Sequence, residues 1–184
     1  MNRYAAFLRG IMPSNPNMRN EKLRGVFEGL GFEGVASVLS SGNIVFRSAE
    51  TDVAALESRI QQALRDELGI GGGTLLREYG ELRTLVDADP FEGLTHCRET
   101  YLTVTFLRGD TPPPAPGDLD AAVRVVGYDA AARAVLWVVD NSVPNGAGFM
   151  AWLERQYGKD VTTRTFLTVQ RVLKKWIPDQ FEKG

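Results

Sequence analysis

The chain has 184 residues, 43% of them hydrophobic and 24% charged, a composition that supports a sizeable core in one large domain or two small ones. Cys97 is the only cysteine and His96 the only histidine, which excludes an internal disulfide and a Cys/His zinc cage within one chain. The apolar stretch before Arg9 is too short for a signal peptide, and Arg133 interrupts the longest later apolar run. The expectation is a cytoplasmic protein with no membrane partner.

The net charge of −2 hides an asymmetry. Residues 1–47 hold six Lys/Arg against three Asp/Glu, residues 151–184 hold seven against four, and the middle carries a net charge of −8. Basic ends that fold together attract a small anionic ligand, whereas single solvated faces do not. Nucleic acid is not favoured as a partner, because the strongly basic signature is missing, but it is not excluded. Oligomeric state is not legible.

In chain order, Tyr4 to Arg9 reads as a strand and Pro13-Ser14-Asn15-Pro16-Asn17 as the loop that prepares a helix. Leu23, Val26, Phe27 and Leu30 recur at helical spacing on one apolar stripe, and Gly31 sits where a left-handed residue ends it. Val35 to Leu39 and Ile44 to Arg47 are β-branched runs around Ser40-Ser41-Gly42-Asn43, a hairpin signal. Val53, Leu56, Ile60, Leu64 and Leu68 form a second stripe, capped by Thr51 or Asp52 and stopped by Gly69; a glycine-rich turn then leads into the run 74–79. The order β-α-β-β-α-β is the split βαβ pattern of a ferredoxin-like unit. A short helix, Glu81 to Asp87, ends before Asp89-Pro90.

The second half opens with a strand at 101–107, followed by a stiff Pro-rich connection at 111–117. A hairpin at 123–128 and 134–139 and a helix at 149–157 follow, then a last helix from Phe166 to Trp176. The expected fold class is α+β: a ferredoxin-like βαββαβ unit over 1–90 and a degenerate βαββα-like unit over 91–184, packed as one compact body.

Three polar clusters carry the chemistry. Arg9-Gly10 and Ser41-Gly42-Asn43 fall on one sheet edge in this topology, where turn N–H groups and a guanidinium suit phosphate or carboxylate. Asn15, Asn17 and Arg19 add donors from the loop before the first helix. Thr162-Thr163-Arg164 reads as a helix N-cap, with a cation whose conflict with the helix dipole a bound anion would relieve. The candidate ligand residues are therefore Arg9, Gly10, Asn15, Asn17, Arg19, Ser41, Gly42, Asn43, Thr163 and Arg164. No catalytic set is assigned. His96 and Cys97 face opposite ways on an extended chain, and no third residue orients them. Asp87 and Asp89 read as a helix stop and not as metal ligands, and Gly69-Ile70-Gly71-Gly72-Gly73 lacks the Lys-Ser/Thr of a phosphate loop. No metal and no cofactor is expected. Trp137, Trp152, Phe149 and Tyr157 read as core.

Phe7-Leu8-Arg9-Gly10-Ile11, Ser41-Gly42-Asn43-Ile44-Val45-Phe46 and Thr162-Thr163-Arg164-Thr165 together resemble the bacterial family called domain of unknown function 1697. The resemblance implies a two-part α+β fold and supplies no activity. Members commonly follow Arg-Gly-Ile with Asn-Val-Gly-Gly, where this chain has Met12-Pro13-Ser14-Asn15-Pro16-Asn17. A tryptophan common after the Thr-Thr-Arg motif is Phe166 here. The expected function is binding of a small anionic, phosphorylated or nucleotide-like ligand; the alternatives are a transferase or hydrolase acting on such a ligand, and a single-stranded RNA-binding module.

Overall fold

The computed structural model describes residues 1–117, 120–144 and 148–176, so the second half expected to reach 184 ends outside the described residues. The elements run β1 (Asn2–Leu8), α1 (Asn20–Gly29), β2 (Glu33–Ser37), β3 (Asn43–Ser48), α2 (Val53–Leu68), β4 (Thr74–Glu78), α3 (Tyr79–Asp87), β5 (Tyr101–Leu107), β6 (Val123–Asp129), β7 (Ala134–Val139), α4 (Gly148–Tyr157), β8 (Val161–Thr165) and α5 (Phe166–Lys175). They make an α+β protein of two units, one built from Met1–Leu82 with the chain from Gln170 onward and the other from Arg83–Val169. Both boundaries fall inside helices, α3 and α5.

In the first unit the sheet order is β2-β3-β1-β4 and every pair is antiparallel. With α1 and α2 as the crossovers this is the βαββαβ arrangement the sequence predicts. The helices form where the apolar spacing puts them. Leu23, Val26 and Phe27 of α1 and Leu56, Ile60 and Leu64 of α2 pack with Tyr4, Ala6, Leu8, Ile44, Phe46 and Leu76 from one face of the sheet. Asp52 Oδ1 accepts from the Ala55 N–H at 3.0 Å to start α2, and Gly69, at φ 69°, ends it in the left-handed conformation. A 3₁₀ turn at Pro16–Met18, capped by Asn15, precedes α1. The outer edge of β4 is closed from within: the Leu76 N–H donates to Glu57 Oε2 at 3.0 Å and the Glu78 N–H to Glu81 Oε2 at 2.7 Å.

In the second unit the sheet order is β6-β7-β5-β8, again all antiparallel. Counted within the unit, that is second-third-first-fourth, the same order as in the first sheet. The difference is the first crossover. Where the first unit has α1, the second has the Pro-rich run 111–117, which forms no helix because proline brings no N–H to the ladder. Its start is held by Tyr157 Oη, which donates to the Thr111 carbonyl at 3.1 Å, and Tyr128 Oη, which donates to the Asp110 carbonyl at 3.4 Å. Trp137 and Phe149 are buried between the sheet and α4, with Trp152 and Tyr157 packed against them.

Thr162, Thr163 and Arg164 do not cap a helix. They form the middle of β8, opposite Phe106, Thr105 and Val104 of β5. Threonine is β-branched and suits an edge strand as well as it suits a cap, and five residues are too few to display a period. The cap is one residue further on, where Thr165 Oγ1 accepts from the Thr168 N–H at 3.2 Å.

Candidate functional site

The C-terminal end of β1 is where three loops of the first unit meet. The Leu8 N–H donates to the Gly42 carbonyl and the Arg9 N–H to the Gly73 carbonyl, each at 2.8 Å. Phe7 lies opposite Asn43 on one side and Leu8 opposite Thr74 on the other. One step further along the same registers, Leu8 meets Gly42 and Arg9 meets Gly73. The chain then leaves the sheet at Gly10, with φ 77°.

Two glycines make this corner possible. A Cβ at Gly72 would land on the Arg9 carbonyl oxygen, so no other residue fits without moving backbone. Gly42 stands at φ 83°, and a Cβ there would lie 2.5 Å from Ile11 Cγ1 and 3.0 Å from Leu8 Cβ. The β1–α1 loop thus lies on Gly42 through Ile11, while Gly72 lies on Arg9. Gly10 and Ser41 are exposed and Arg9 partly so, which leaves a cation, a hydroxyl and turn backbone at the rim.

Asn43 is 1% exposed and works inside the turn. Its Nδ2 donates to the Val38 carbonyl and to Ser41 Oγ, both at 2.9 Å, and its own carbonyl accepts from the Val38 N–H at 2.9 Å. It therefore positions Ser41 and closes the β2–β3 loop, in which Leu39 adopts φ 58°. Asn43→Ala is expected to cost about 1–3 kcal/mol, the range for orphaning a buried polar group. Urea unfolding checks it; a loss below about 0.5 kcal/mol would remove the turn-holding role.

The contacts of the remaining candidates are these. Asn15 Oδ1 accepts from the Asn17 N–H at 3.0 Å, Asn17 Oδ1 accepts from Lys22 Nζ at 3.0 Å, and Arg19 is the residue before α1. Thr163 and Arg164 belong to the second unit and, as neighbours on a strand, point to opposite faces. Thr163 faces α4 in a chain of hydrogen bonds: Trp137 Nε1 donates to Thr105 Oγ1, which lies 2.8 Å from Thr163 Oγ1, which in turn donates to Met150 Sδ. On the other face, Arg164 Nη1 donates at 2.9 Å to Thr162 Oγ1 and to the Thr163 carbonyl. Burial draws the Arg164 pKa down to about 10. Arg77, 1% exposed on β4, holds the matching place in the first unit, with Nη1 donating to the preceding carbonyl, that of Leu76, at 2.7 Å.

His96 Nδ1 accepts from the Leu102 N–H at 3.1 Å, and Cys97 is exposed in a turn closed with Thr100. Among the described residues no three His, Cys, Asp or Glu side chains cluster to hold a metal. A cleft of about 300 Å³ in the second unit, lined by Asp120, Phe149, Trp152 and Arg155 among others, contains none of the expected ligand residues.

Gly72 and Gly73 were not legible as parts of the corner, because a glycine run after a helix reads as a turn. A second signal is present in the sequence: Phe-Leu-Arg-Gly occurs at 7–10 and again at 106–109.

The family model DUF1697, protein of unknown function, matches residues 1–131, well over half of the chain. The chain belongs to that family. Among solved structures, this DUF1697 protein is similar to the conserved bacterial protein SP0830 from Streptococcus pneumoniae, at 19% identity and a TM-score of 0.69 over 95% of this chain and 98% of that one. At that identity the likeness shows the fold alone. No curated protein matches the DUF1697 chain. None of its described helices is long and apolar enough to cross a membrane.

Proposed function

We propose that this protein binds a small anionic ligand, phosphorylated or nucleotide-like, at the corner formed by Arg9, Gly10, Ser41 and Gly42. One observation carries the reading. The Gly72 approach to the Arg9 carbonyl and the Gly42 approach to Ile11 fix an arginine at a strand end between two turns, one of which carries the exposed residue Ser41. A guanidinium is charged at any working pH and donates in a fork that matches carboxylate or phosphate oxygens. Asn43 supports the turn from below. Thr163 and Arg164 are left out of the site because they face opposite sides of β8.

A melting-temperature screen against nucleotides and phosphorylated metabolites tests the reading, since a ligand that binds only the native state raises the transition. Arg9→Ala is expected to weaken the same ligand by about 1.5–3 kcal/mol, the range for a hydrogen bond to a charged group. A screen without a hit, or a hit that binds Arg9→Ala as tightly, would sink it. Turnover of the hit would make the site catalytic. Binding only to oligonucleotides, with a steep salt dependence, would point to RNA.

A further inference from the structure

The two sheets share a strand order but not the cover over it. In the first unit α1 precedes β2 and packs against both β2 and α2, and its Leu23, Val26 and Phe27 fill the core there. The second unit reaches β6 through the Pro-rich run, so among the described residues no helix takes that place beside α4. The cleft of about 300 Å³ lies there. Its lining includes Gly117 and Asp120 ahead of β6, Val123 of β6, and Phe149, Trp152 and Arg155 of α4.

The floor of the cleft is apolar and fixed. Val123 and Phe149 are buried, and the Phe149 ring meets Trp137 edge-on at 4.7 Å and stacks on Trp152 at 5.6 Å with 13° between the planes. Phe149, Trp152 and Arg155 follow at intervals of three along α4, so the guanidinium and the indole share one face of the helix. The rim carries both signs of charge. Asp120 Oδ1 accepts from the Ala122 N–H at 2.9 Å, which fixes the carboxylate at the entrance to β6 and leaves its other oxygen for a second donor. Among the described residues Arg155 makes no hydrogen bond or ion pair, and it does not pair with Asp120. Two opposite charges that line one small cleft without neutralising each other fit a ligand that carries both.

We infer that this cleft binds a free α-amino acid with an aromatic side chain, its ring against Trp152 and Phe149, its carboxylate on Arg155 and its ammonium group on Asp120. All of these residues belong to the second unit, so the inference does not depend on the Arg9 corner. A volume of about 300 Å³ stands at the lower end of the roughly 300–1,000 Å³ of small-molecule pockets, which suits a single ring with a short polar arm. The aromatic floor supplies most of the affinity, and the guanidinium fork matches a carboxylate. Ion pairs at an open rim are weak one by one, so a Kd on the order of 0.1–1 mM is expected.

Calorimetric titration of the full chain at low ionic strength tests this with four probes. They are phenylalanine, phenylpropionate, which lacks the ammonium group, phenylethylamine, which lacks the carboxylate, and glycine, which lacks the ring. Phenylalanine is expected to bind about fivefold or more tighter than either single-charge analogue, and glycine to give no binding heat. Asp120→Asn, which keeps an acceptor for the Ala122 N–H, is expected to weaken phenylalanine by about fivefold or more and to leave phenylpropionate unchanged. Arg155→Gln is expected to weaken phenylalanine to the same degree and to leave phenylethylamine unchanged. Several results overturn the inference: no binding of phenylalanine at about 10 mM, analogues that bind as tightly as phenylalanine, variants that leave phenylalanine unaffected, or variants that weaken all three ring probes alike. Should a variant fail to fold, the ranking of the four probes on the wild-type protein decides alone.

Discussion

Gly72→Ala is expected to destabilise the protein by about 2–4 kcal/mol and to abolish anion binding at the Arg9 corner. The added methyl would coincide with the Arg9 carbonyl oxygen. Both partners are backbone, so relief requires that β1 and the β4 loop separate. Overpacking of that kind costs about 1–3 kcal/mol, and the Arg9 N–H bond to the Gly73 carbonyl, now 2.8 Å, contributes about another 1 kcal/mol when lost. The neighbouring glycine gives the control: a Cβ at Gly71 meets nothing within 4 Å, and its backbone is not left-handed. Gly71→Ala should stay within about 0.5 kcal/mol of wild type, as surface changes do. Urea unfolding of the pair checks this, and equal stabilities would show that the close approach is not a constraint.

Phe46→Ala is expected to cost about 3–5 kcal/mol. Phe46 is fully buried at the centre of an aromatic group, with ring centroids 5.5 Å from Tyr4, 5.4 Å from Phe27 and 4.5 Å from Phe32. Three contacts in offset or edge geometry each add to the area term, and β1, α1 and the segment leading into β2 that supply them cannot all collapse into the space left behind. Guanidinium unfolding measures it. A loss below about 2 kcal/mol would mean the first core repacks around the cavity.

The first unit is legible in the sequence because its signals are local and redundant. The Leu23/Val26/Phe27 and Leu56/Ile60/Leu64 stripes, the Asp52 cap and the Gly69 stop all agree, and the order of elements then dictates that Arg9-Gly10 and the Gly42 turn share an edge. What escapes is non-local. Nothing near Gly72 announces that the Arg9 carbonyl lies against its Cα; the contact exists only once β1 and β4 pair. Asn43 resembles a turn residue and is one, yet its burial, which turns its amide inward, depends on the register with Phe7. β8 escapes for a different reason. Val161–Thr165 is short and mostly polar, and it runs directly into α5, so its threonines imitate a cap. Arg164 then looks like a cation facing a helix dipole, when it stands on a strand in the place that Arg77 holds in the other unit. The relation between the two units is obscured by the Pro-rich run, which removes the helix that would have made the repeated order plain.

The first unit is finished by a segment far along the chain. Its segment from Gln170 onward follows the entire second unit, and Arg3 Nη1 reaches the Trp176 carbonyl at 3.4 Å across a separation of 173 residues. During synthesis β1 to β4 emerge early and must wait, without that segment, while the intervening residues are translated at roughly 5–20 per second. The nascent N-terminal half therefore spends several seconds as an incompletely closed intermediate. Contacts of such long sequence separation also form slowly in refolding, because the closure entropy must be met before they contribute. Its exposed strands during that interval are where chaperone capture or premature proteolysis would act, and the carboxylates that already occupy the outer edge of β4 guard it from its first pairing onward.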